Sequence, residues 1–222
     1  MRKLTRNPLI PDVLAQYNAN TDSWSLSSPN KKSRKIIWRA INSMQSDFCC
    51  YCEKRLSGDK HIEHFFHKGQ SANGVAPFKH MTFQWDNLFG CCGRNSGITC
   101  GHYKDSQGKL SPGHYDPFDI IKPDIDNPLN YIVFSPEGYV EEKQGLLAVD
   151  KKRAIETLRV LNLTHSSLNG ARKKQISIFE NELKQILSLN LPDDAFILAI
   201  EDMRNRIKKS EFQSAILCAL KL

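Results

Sequence analysis

Hydrophobic and polar positions divide the chain into stretches with different patterns. Apolar residues recur every three or four positions from about residue 32 to residue 46, which predicts an N-terminal helix. From residue 48 to about residue 123 no long periodic run occurs, and Cys, His, Gly and aromatic residues are frequent. Such a stretch cannot build an ordinary apolar core, so it favours stabilisation by a bound metal ion.

Helical periodicity returns in the C-terminal part, after a predicted β-hairpin. In the hairpin, residues 131–134 and 138–140, all β-branched or aromatic except Gly138, flank a turn at residues 135–138. Residues 190–194 interrupt the helical pattern, and Asp193 and Asp194 are predicted to cap the helix that follows. The apolar positions expected on the packed helix faces are Ala154, Ile155, Leu158, Ile176, Phe179, Leu183, Leu187, Phe196, Ile200, Met203 and Ile207.

Composition and charge narrow the class of protein. With 40% hydrophobic and 25% charged residues in 222 positions, the chain is not a disordered one. No apolar stretch approaches the roughly 18 residues of a membrane span, so we expect a cytoplasmic protein without membrane contact. The net charge of +7 favours nucleic acid as a partner, although many basic patches are only solvated faces. Residues 1–45 hold much of the basic excess, namely Arg2, Lys3, Arg6, Lys31, Lys32, Arg34, Lys35 and Arg39.

Six of the seven cysteines lie between residues 49 and 100. This clustering favours metal binding over disulfides, whereas Cys218 is interpreted as a buried apolar residue. Cys49 and Cys52 form a C-x2-C pair that can bind one tetrahedral ion. Either Cys91 or Cys92 supplies the second pair with Cys100; we predict a structural zinc on Cys49, Cys52, Cys92 and Cys100. Cys50 and Cys91 are then spare, and the alternative is that all six are buried free thiols.

A second group of polar residues lies between the two cysteine pairs. Residues 61–67 alternate in a way that suits a strand, on which Glu63 and His64 face opposite sides. Both can serve one site only if the strand twists or ends there. A single histidine is more often structural or exposed than catalytic.

Taken together, these motifs resemble a zinc-stapled HNH nuclease of the ββα-metal type. The order is a C-x2-C pair, an acidic-His pair, Asn-Leu and a closing cysteine pair followed by His and Lys. Within that class the chain resembles the PtuB-like proteins of Septu and retron antiphage systems. The matching stretches are residues 45–53, 62–65, 85–92, 99–104 and 157–163, with Leu168 and Arg172.

The resemblance implies roles for particular residues. His64 would be the general base, and Glu63 would hold a catalytic Mg2+ or Mn2+. Asn87 would position the loop that carries His64. The third metal ligand usually follows the last cysteine directly, but Gly101 stands there, so His102 is assigned instead, with Asp105 as the alternative. Lys104 could contact a phosphate, and His67 could contact a phosphate, bind metal or be exposed.

With this resemblance, the sequence predicts an α+β metal-dependent endonuclease. DNA is the expected substrate, and a cellular RNA such as tRNA is the alternative. A zinc module that binds nucleic acid without cutting it is the rival interpretation. A hydrolase that uses the cysteine-bound zinc ranks third, because four thiolates leave no open position for water.

The resemblance also implies an organisation and partners. Residues 1–45 are the basic helical lead, residues 46–125 the HNH core with its zinc site, and residues 126–222 the hairpin and helical region. A PtuA-like ATPase is the expected protein partner, joined in retron systems by a reverse transcriptase and its RNA–DNA product. The amphipathic C-terminal helices are the expected docking surface.

Overall fold

The structure is a computed structural model that describes residues 1–58, 60–69, 74–93, 97–107 and 111–222. Helices dominate the described residues, with two small antiparallel sheets between them. The elements are α1 (Lys31–Gln45), β1 (Lys60–His64), β2 (Leu88–Cys92), α2 (Cys100–Lys104), β3 (Ile132–Phe134), β4 (Val140–Glu142), α3 (Ala148–Val160), α4 (Ser166–Ser188), α5 (Asp193–Lys208) and α6 (Gln213–Leu220).

Helix α1 confirms the prediction to within one residue at each end. The Asn30 side chain accepts a hydrogen bond from the Ser33 amide and caps the N-terminus, and Ser46 ends the helix in a left-handed conformation. The side chain of Gln45 accepts a hydrogen bond from the Gly90 amide (2.8 Å) and donates one to the Gly90 carbonyl (2.9 Å). A Cβ atom at Gly90 would lie 2.9 Å from the Trp38 ring. Helix α1 is therefore held closely against β2.

Strands β1 and β2 pair antiparallel, from Lys60 opposite Cys92 to His64 opposite Leu88. Helix α2 follows β2 and packs against it. This part of the chain thus has the order strand, strand, short helix. The backbone amide of Cys100, at the start of α2, donates to the Leu161 carbonyl (2.8 Å) and ties the arrangement to the end of α3.

The second half agrees with its predictions in outline and differs in three details. Strands β3 and β4 form the predicted hairpin, and the helices follow. Asp193 and Asp194 are not caps, because Pro192 is the N-cap residue. Both carboxylates lie in the first turn of α5, where their negative charge interacts favourably with the helix dipole. Ile155 and Leu187 are exposed (42% and 57%), so their assignment to the packed faces was wrong. Cys218 is half-buried, so its interpretation as a buried apolar residue was only partly right.

The main apolar core draws on all three predicted segments. Met1 and Leu4 of the lead, Phe89 of β2 and Ile216 of α6 belong to one cluster of buried side chains. The amide of Ser214 also donates to the buried Glu53 carboxylate (3.0 Å). The C-terminal helices are thus part of the core rather than an appended surface. The division at residues 45 and 125 stays a prediction about the sequence.

The basic residues of the N-terminal lead serve two different purposes. Arg2 pairs with Glu53 (3.3 Å), Arg6 pairs with Asp124 (2.6 Å), and Lys3 donates to the Asp124 carbonyl (2.8 Å). These three cations have partners within the protein, although Lys3 is exposed. The other exposed basic residues of the lead belong to α1 and are Lys31, Lys32, Lys35 and Arg39. Within the described part of the chain, no helix is long and apolar enough to cross a membrane.

Candidate active site

Four buried cysteine sulfurs form a compact group beneath the β1–β2 sheet. The Sγ atoms of Cys49, Cys52, Cys92 and Cys100 all lie within 4.8 Å of one another, and Cys52 and Cys92 are 3.5 Å apart. Tetrahedral zinc with bonds of about 2.3 Å separates its sulfurs by about 3.8 Å. The donor set therefore fits a structural zinc. The structure brings together the four cysteines that the sequence assigned, while the ligand roles and the identity of the ion stay predictions.

Glu63 lies on the side of β1 that faces α2. Its carboxylate is 2% exposed and contacts Lys104 Nζ (3.1 Å), His61 Nε2 (3.2 Å) and the Tyr51 hydroxyl (3.2 Å). Burial raises the pKa of Glu63, but the Lys104 ammonium and His61 outweigh it and bring the pKa to about 2. Glu63 is thus an anion neutralised from within the protein.

One histidine, His61, contacts this carboxylate, and a second, His102, lies beside the first. The His61 and His102 rings meet edge-on, with centroids 4.7 Å apart, and both side chains are half-buried. Among the described residues, the buried Nδ1 atom of His61 has no hydrogen-bond partner. A carboxylate and two imidazoles are donors of a kind that bind divalent cations. Among the described residues, however, only cysteines form groups of three or more ligand atoms within 4.8 Å of one another, so the donor atoms of Glu63, His61 and His102 are not gathered around one point in this conformation.

His61 was not assigned from the sequence, although the signal was present. On a strand, residues two positions apart face the same side, so His61 accompanies Glu63. The alternation that separated Glu63 from His64 therefore also grouped His61 with the carboxylate.

Gly101 explains why the third ligand position is displaced in this chain. A Cβ atom at Gly101 would lie 2.2 Å from Glu63 Oε2, so a side chain there would collide with the carboxylate. His102, one residue later, lies beside His61 instead. Asp105, the alternative ligand, pairs with the Lys104 ammonium, and its other oxygen is 3.9 Å from His67 Nε2. Lys104 is 3% exposed and turned inward, which does not agree with the predicted phosphate contact.

His64 lies on the opposite side of β1 and is covered. Its side chain is 3% exposed, and its Nε2 atom is 3.0 Å from the Thr82 carbonyl oxygen. The Trp24 indole meets the imidazole edge-on, with centroids 4.6 Å apart. Burial, and then the charge of Lys68, lower the pKa of His64 to about 3. The imidazole is therefore neutral at ordinary pH and is almost wholly covered in this conformation.

The Trp24 cover belongs to the Trp24 loop, residues 18–29. The Arg34 side chain holds this loop through hydrogen bonds to the carbonyls of Pro29 (2.7 Å), Ser28 (3.2 Å) and Ser25. Trp24 also packs on Phe83 at 5.8 Å. Most other residues of the loop are exposed, including Leu26 at 90%. The Trp24 side chain and the Arg34 side chain thus make many of the contacts that hold the loop against the rest of the protein.

Asn87 is fully buried and clamps the chain that follows β1. Its Oδ1 atom accepts from the Phe66 amide (2.7 Å), and its Nδ2 atom donates to the carbonyls of Phe66 (3.1 Å) and Met81 (3.0 Å). The clamp joins the segment after His64 to the segment before Thr82, the partner of His64. These contacts suit the positioning role that the sequence assigned.

Comparison with known proteins gives distant relatives of one kind. No protein-family model matches the chain. It is similar to "Retron Ec83 putative HNH endonuclease" of Escherichia coli, with 28% identity over 175 residues, which covers 66% of this chain and 67% of that protein. It is also similar to "Retron Vc95 putative HNH endonuclease" of Vibrio cholerae serotype O1 biovar El Tor, with 26% identity over 147 residues. That second match covers 64% of each chain, just under two thirds of the relative's length.

Proposed function

We propose that this protein is a metal-dependent HNH endonuclease that hydrolyses phosphodiester bonds. The observation that carries the proposal is that His61 contacts both the Glu63 carboxylate (3.2 Å) and the His102 ring, on a strand that also carries His64. The strand, strand, short helix order and the four-cysteine group support it. The names of the two relatives point the same way.

Each residue of the site has a proposed role in the reaction. Glu63, His61 and His102 would hold a Mg2+ or Mn2+ ion, which stabilises negative charge on the phosphate and the leaving oxygen. His64 accepts the proton of the attacking water through its neutral imidazole. Asn87 holds the segment after His64 in place. The exposed lysines and Arg39 of α1 attract the nucleic-acid backbone.

Catalysis requires that the Trp24 loop move. His64 Nε2 donates its hydrogen to the Thr82 carbonyl, which leaves Nδ1 as the proton acceptor. The ring is 3% exposed and covered by the Trp24 indole, so a substrate phosphate does not reach it as it lies. We propose that the described conformation is the resting form and that the loop opens in the active one. The same burial favours the rival interpretation, a zinc module that binds nucleic acid without cutting it.

A cleavage assay separates the two interpretations. The purified protein, alone and with its proposed partners, is incubated with duplex DNA, single-stranded DNA and total RNA in Mg2+ or Mn2+. Cleavage that His64→Ala abolishes and His114→Ala leaves intact is expected, because His114 is exposed and outside the site. Binding without metal-dependent cleavage, or cleavage unchanged in His64→Ala, would favour the binding module.

We propose DNA as the substrate and a cellular RNA such as tRNA as the second candidate. A single metal ion and one histidine would act on the phosphodiester backbone, which DNA and RNA have in common. The cleavage assay on both kinds of nucleic acid therefore decides between the two substrates. The proposed setting is a retron-type antiphage complex with a PtuB-like role, in keeping with the relatives' names.

A PtuA-like ATPase is the proposed protein partner, and the outer faces of α4 and α5 are its proposed docking surface. Deleting residues 175–222 would be a poor test, because α6 belongs to the core. Ile197→Ser with Leu198→Ser is expected to reduce co-purification with the ATPase, and Leu26→Ser, at a still more exposed apolar position elsewhere, is not. Unchanged co-purification of the double variant would place the surface elsewhere. The exposed apolar residues of this region are Ile178, Leu187, Leu189, Ile197 and Leu198.

A further inference from the structure

Two of the clustered cysteines have no task in the proposed zinc site. The sulfurs of Cys50 and Cys91 lie with that of Cys49 in a second group, all within 4.8 Å of one another and all buried. The Sγ atoms of Cys49 and Cys91 are 3.7 Å apart. Cys49 therefore belongs to both groups.

The two groups adjoin each other through Cys49 and through the neighbouring Cys91 and Cys92 of β2. The sulfurs of Cys91 and Cys92 interact with each other and with that of Cys100, so the six sulfurs form one continuous cluster. Cys92 joins the four-sulfur group, and Cys91 joins Cys49 and Cys50. The two cysteine doublets, 49–50 and 91–92, thus each contribute to both groups.

The Cys91 sulfur also has a donor suited to a charged thiolate. The Gly101 backbone amide donates a hydrogen bond to Cys91 Sγ at 3.3 Å. Such a bond stabilises negative charge on sulfur, and a metal-bound thiolate carries that charge.

We propose that Cys49, Cys50 and Cys91 form a second metal site for a soft ion such as Cu(I), with the Cys49 thiolate bridging to the structural zinc. Thiolates select soft ions, and zinc prefers a fourth ligand that this three-sulfur group does not supply. On binding, the protons of the Cys50 and Cys91 thiols pass to solvent, and no redox step is involved. The alternative is that both thiols pack as small apolar side chains.

The test counts ions on the full chain. Zinc-loaded protein is titrated anaerobically with Cu(I) held by a competing chelator, and zinc and copper are measured by elemental analysis and native mass spectrometry. We expect one zinc and one copper per chain. Cys50→Ser with Cys91→Ser should lose the copper and keep the zinc, whereas Cys218→Ser, outside both groups, should keep both.

Three outcomes would overturn the proposal. These are copper that displaces zinc one for one, saturation of the wild type at one ion, and copper binding unchanged in the double variant. Should the double variant fail to fold, X-ray absorption at the copper edge of the wild type decides instead. A three-sulfur shell supports the site, and a two- or four-sulfur shell contradicts it. None of these readouts depends on nuclease activity.

Discussion

The two sides of strand β1 present opposite environments. On one side, Glu63 is charged, paired with Lys104 and bordered by the half-buried imidazoles of His61 and His102. On the other, His64 is neutral, bonded to a backbone carbonyl and covered by Trp24. Consecutive residues therefore separate the candidate metal ligand from the candidate base.

The difference separates what each side of the strand would need for the proposed function. On the Glu63 side, the donor atoms of Glu63, His61 and His102 would have to converge, and an ion would have to displace the Lys104 ammonium. On the His64 side, the Trp24 cover would have to be removed. The candidate metal ligands and the candidate base thus need different rearrangements.

The largest expected effect is on the His64 side. His64→Ala should lower the cleavage rate by about 10²- to 10⁴-fold, the usual contribution of a general base. Its unfolding temperature and zinc content should stay close to those of the wild type. A full cleavage rate in this variant would remove His64 from the chemistry and leave only the Glu63 side as a candidate site.

Glu63→Gln tests the other side through stability. Loss of the carboxylate leaves the buried Lys104 ammonium with the Asp105 carboxylate and the His64 carbonyl, and we expect a decrease of about 3 kcal/mol in the free energy of unfolding. Denaturant titration measures it, and the double variant Glu63→Gln with Lys104→Met should recover part of the loss. Additive losses would show that the pair is not coupled.

The pH dependence of this stability has a definite sign. The folded pKa of Glu63 is about 2, below the roughly 4.3 of an unfolded glutamate. The contribution is therefore fully present above the unfolded pKa and is lost as the pH falls towards 2. Glu63→Gln should lack this component of acid sensitivity when unfolding curves are compared across that range.

Asn87→Ala tests whether Asn87 supports only the His64 side of β1 or the Glu63 side as well. Removing the amide leaves the Phe66 amide and the Met81 carbonyl without their partner, at a cost of about 1 to 3 kcal/mol. Cleavage should fall while divalent-ion binding, measured by calorimetry, persists. Loss of ion binding together with cleavage would mean that Asn87 supports the Glu63 side as well.

Trp24→Ala should have the smallest effect and the opposite direction. An aromatic pair contributes about 0.5 to 1.5 kcal/mol, so opening of the Trp24 loop should become about two- to tenfold more frequent. We expect faster cleavage and a rise of the His64 pKa, followed by NMR, from about 3 towards its ordinary value. Leu26→Ala in the same loop is the matched control. A His64 pKa that stays low without the indole would show that Trp24 is not the cover.

The predictable part of the fold depends on local pattern. Helix α1 and the β3–β4 hairpin follow from the spacing of residues that are neighbours in the chain. The Cys49–Cys52 pair was indicated for the same reason, since a C-x2-C pair is local. Its meeting with Cys92 and Cys100 is a long-range contact that was predicted from the clustering of the cysteines. Ile155 and Leu187 have helical spacing too, but which helix faces find a neighbour is decided by tertiary packing.

The unpredicted part of the site depends on contacts between distant residues. Trp24 lies in a polar run typical of a loop, and nothing in that run indicates that its indole meets His64. Gly101 stood out as a departure from the HNH pattern, but its reason, the position of the Glu63 carboxylate, appears only in three dimensions. Lys104 was predicted to contact a phosphate, whereas it pairs with Glu63 inside the protein. Glu63 is forty-one residues earlier in the chain, so the local sequence around Lys104 does not indicate this pair.

The Lys104 ammonium gives the site a resident counter-ion. Any divalent cation that approaches Glu63 must compete with a positive charge that is already in place, and chelation returns the carboxylate to that internal partner. The thiolate centre has no comparable substitute among its described contacts. Removal of Mg2+ should therefore leave the protein folded but without cleavage activity. Removal of zinc should instead unfold the part of the chain that the cysteines hold together.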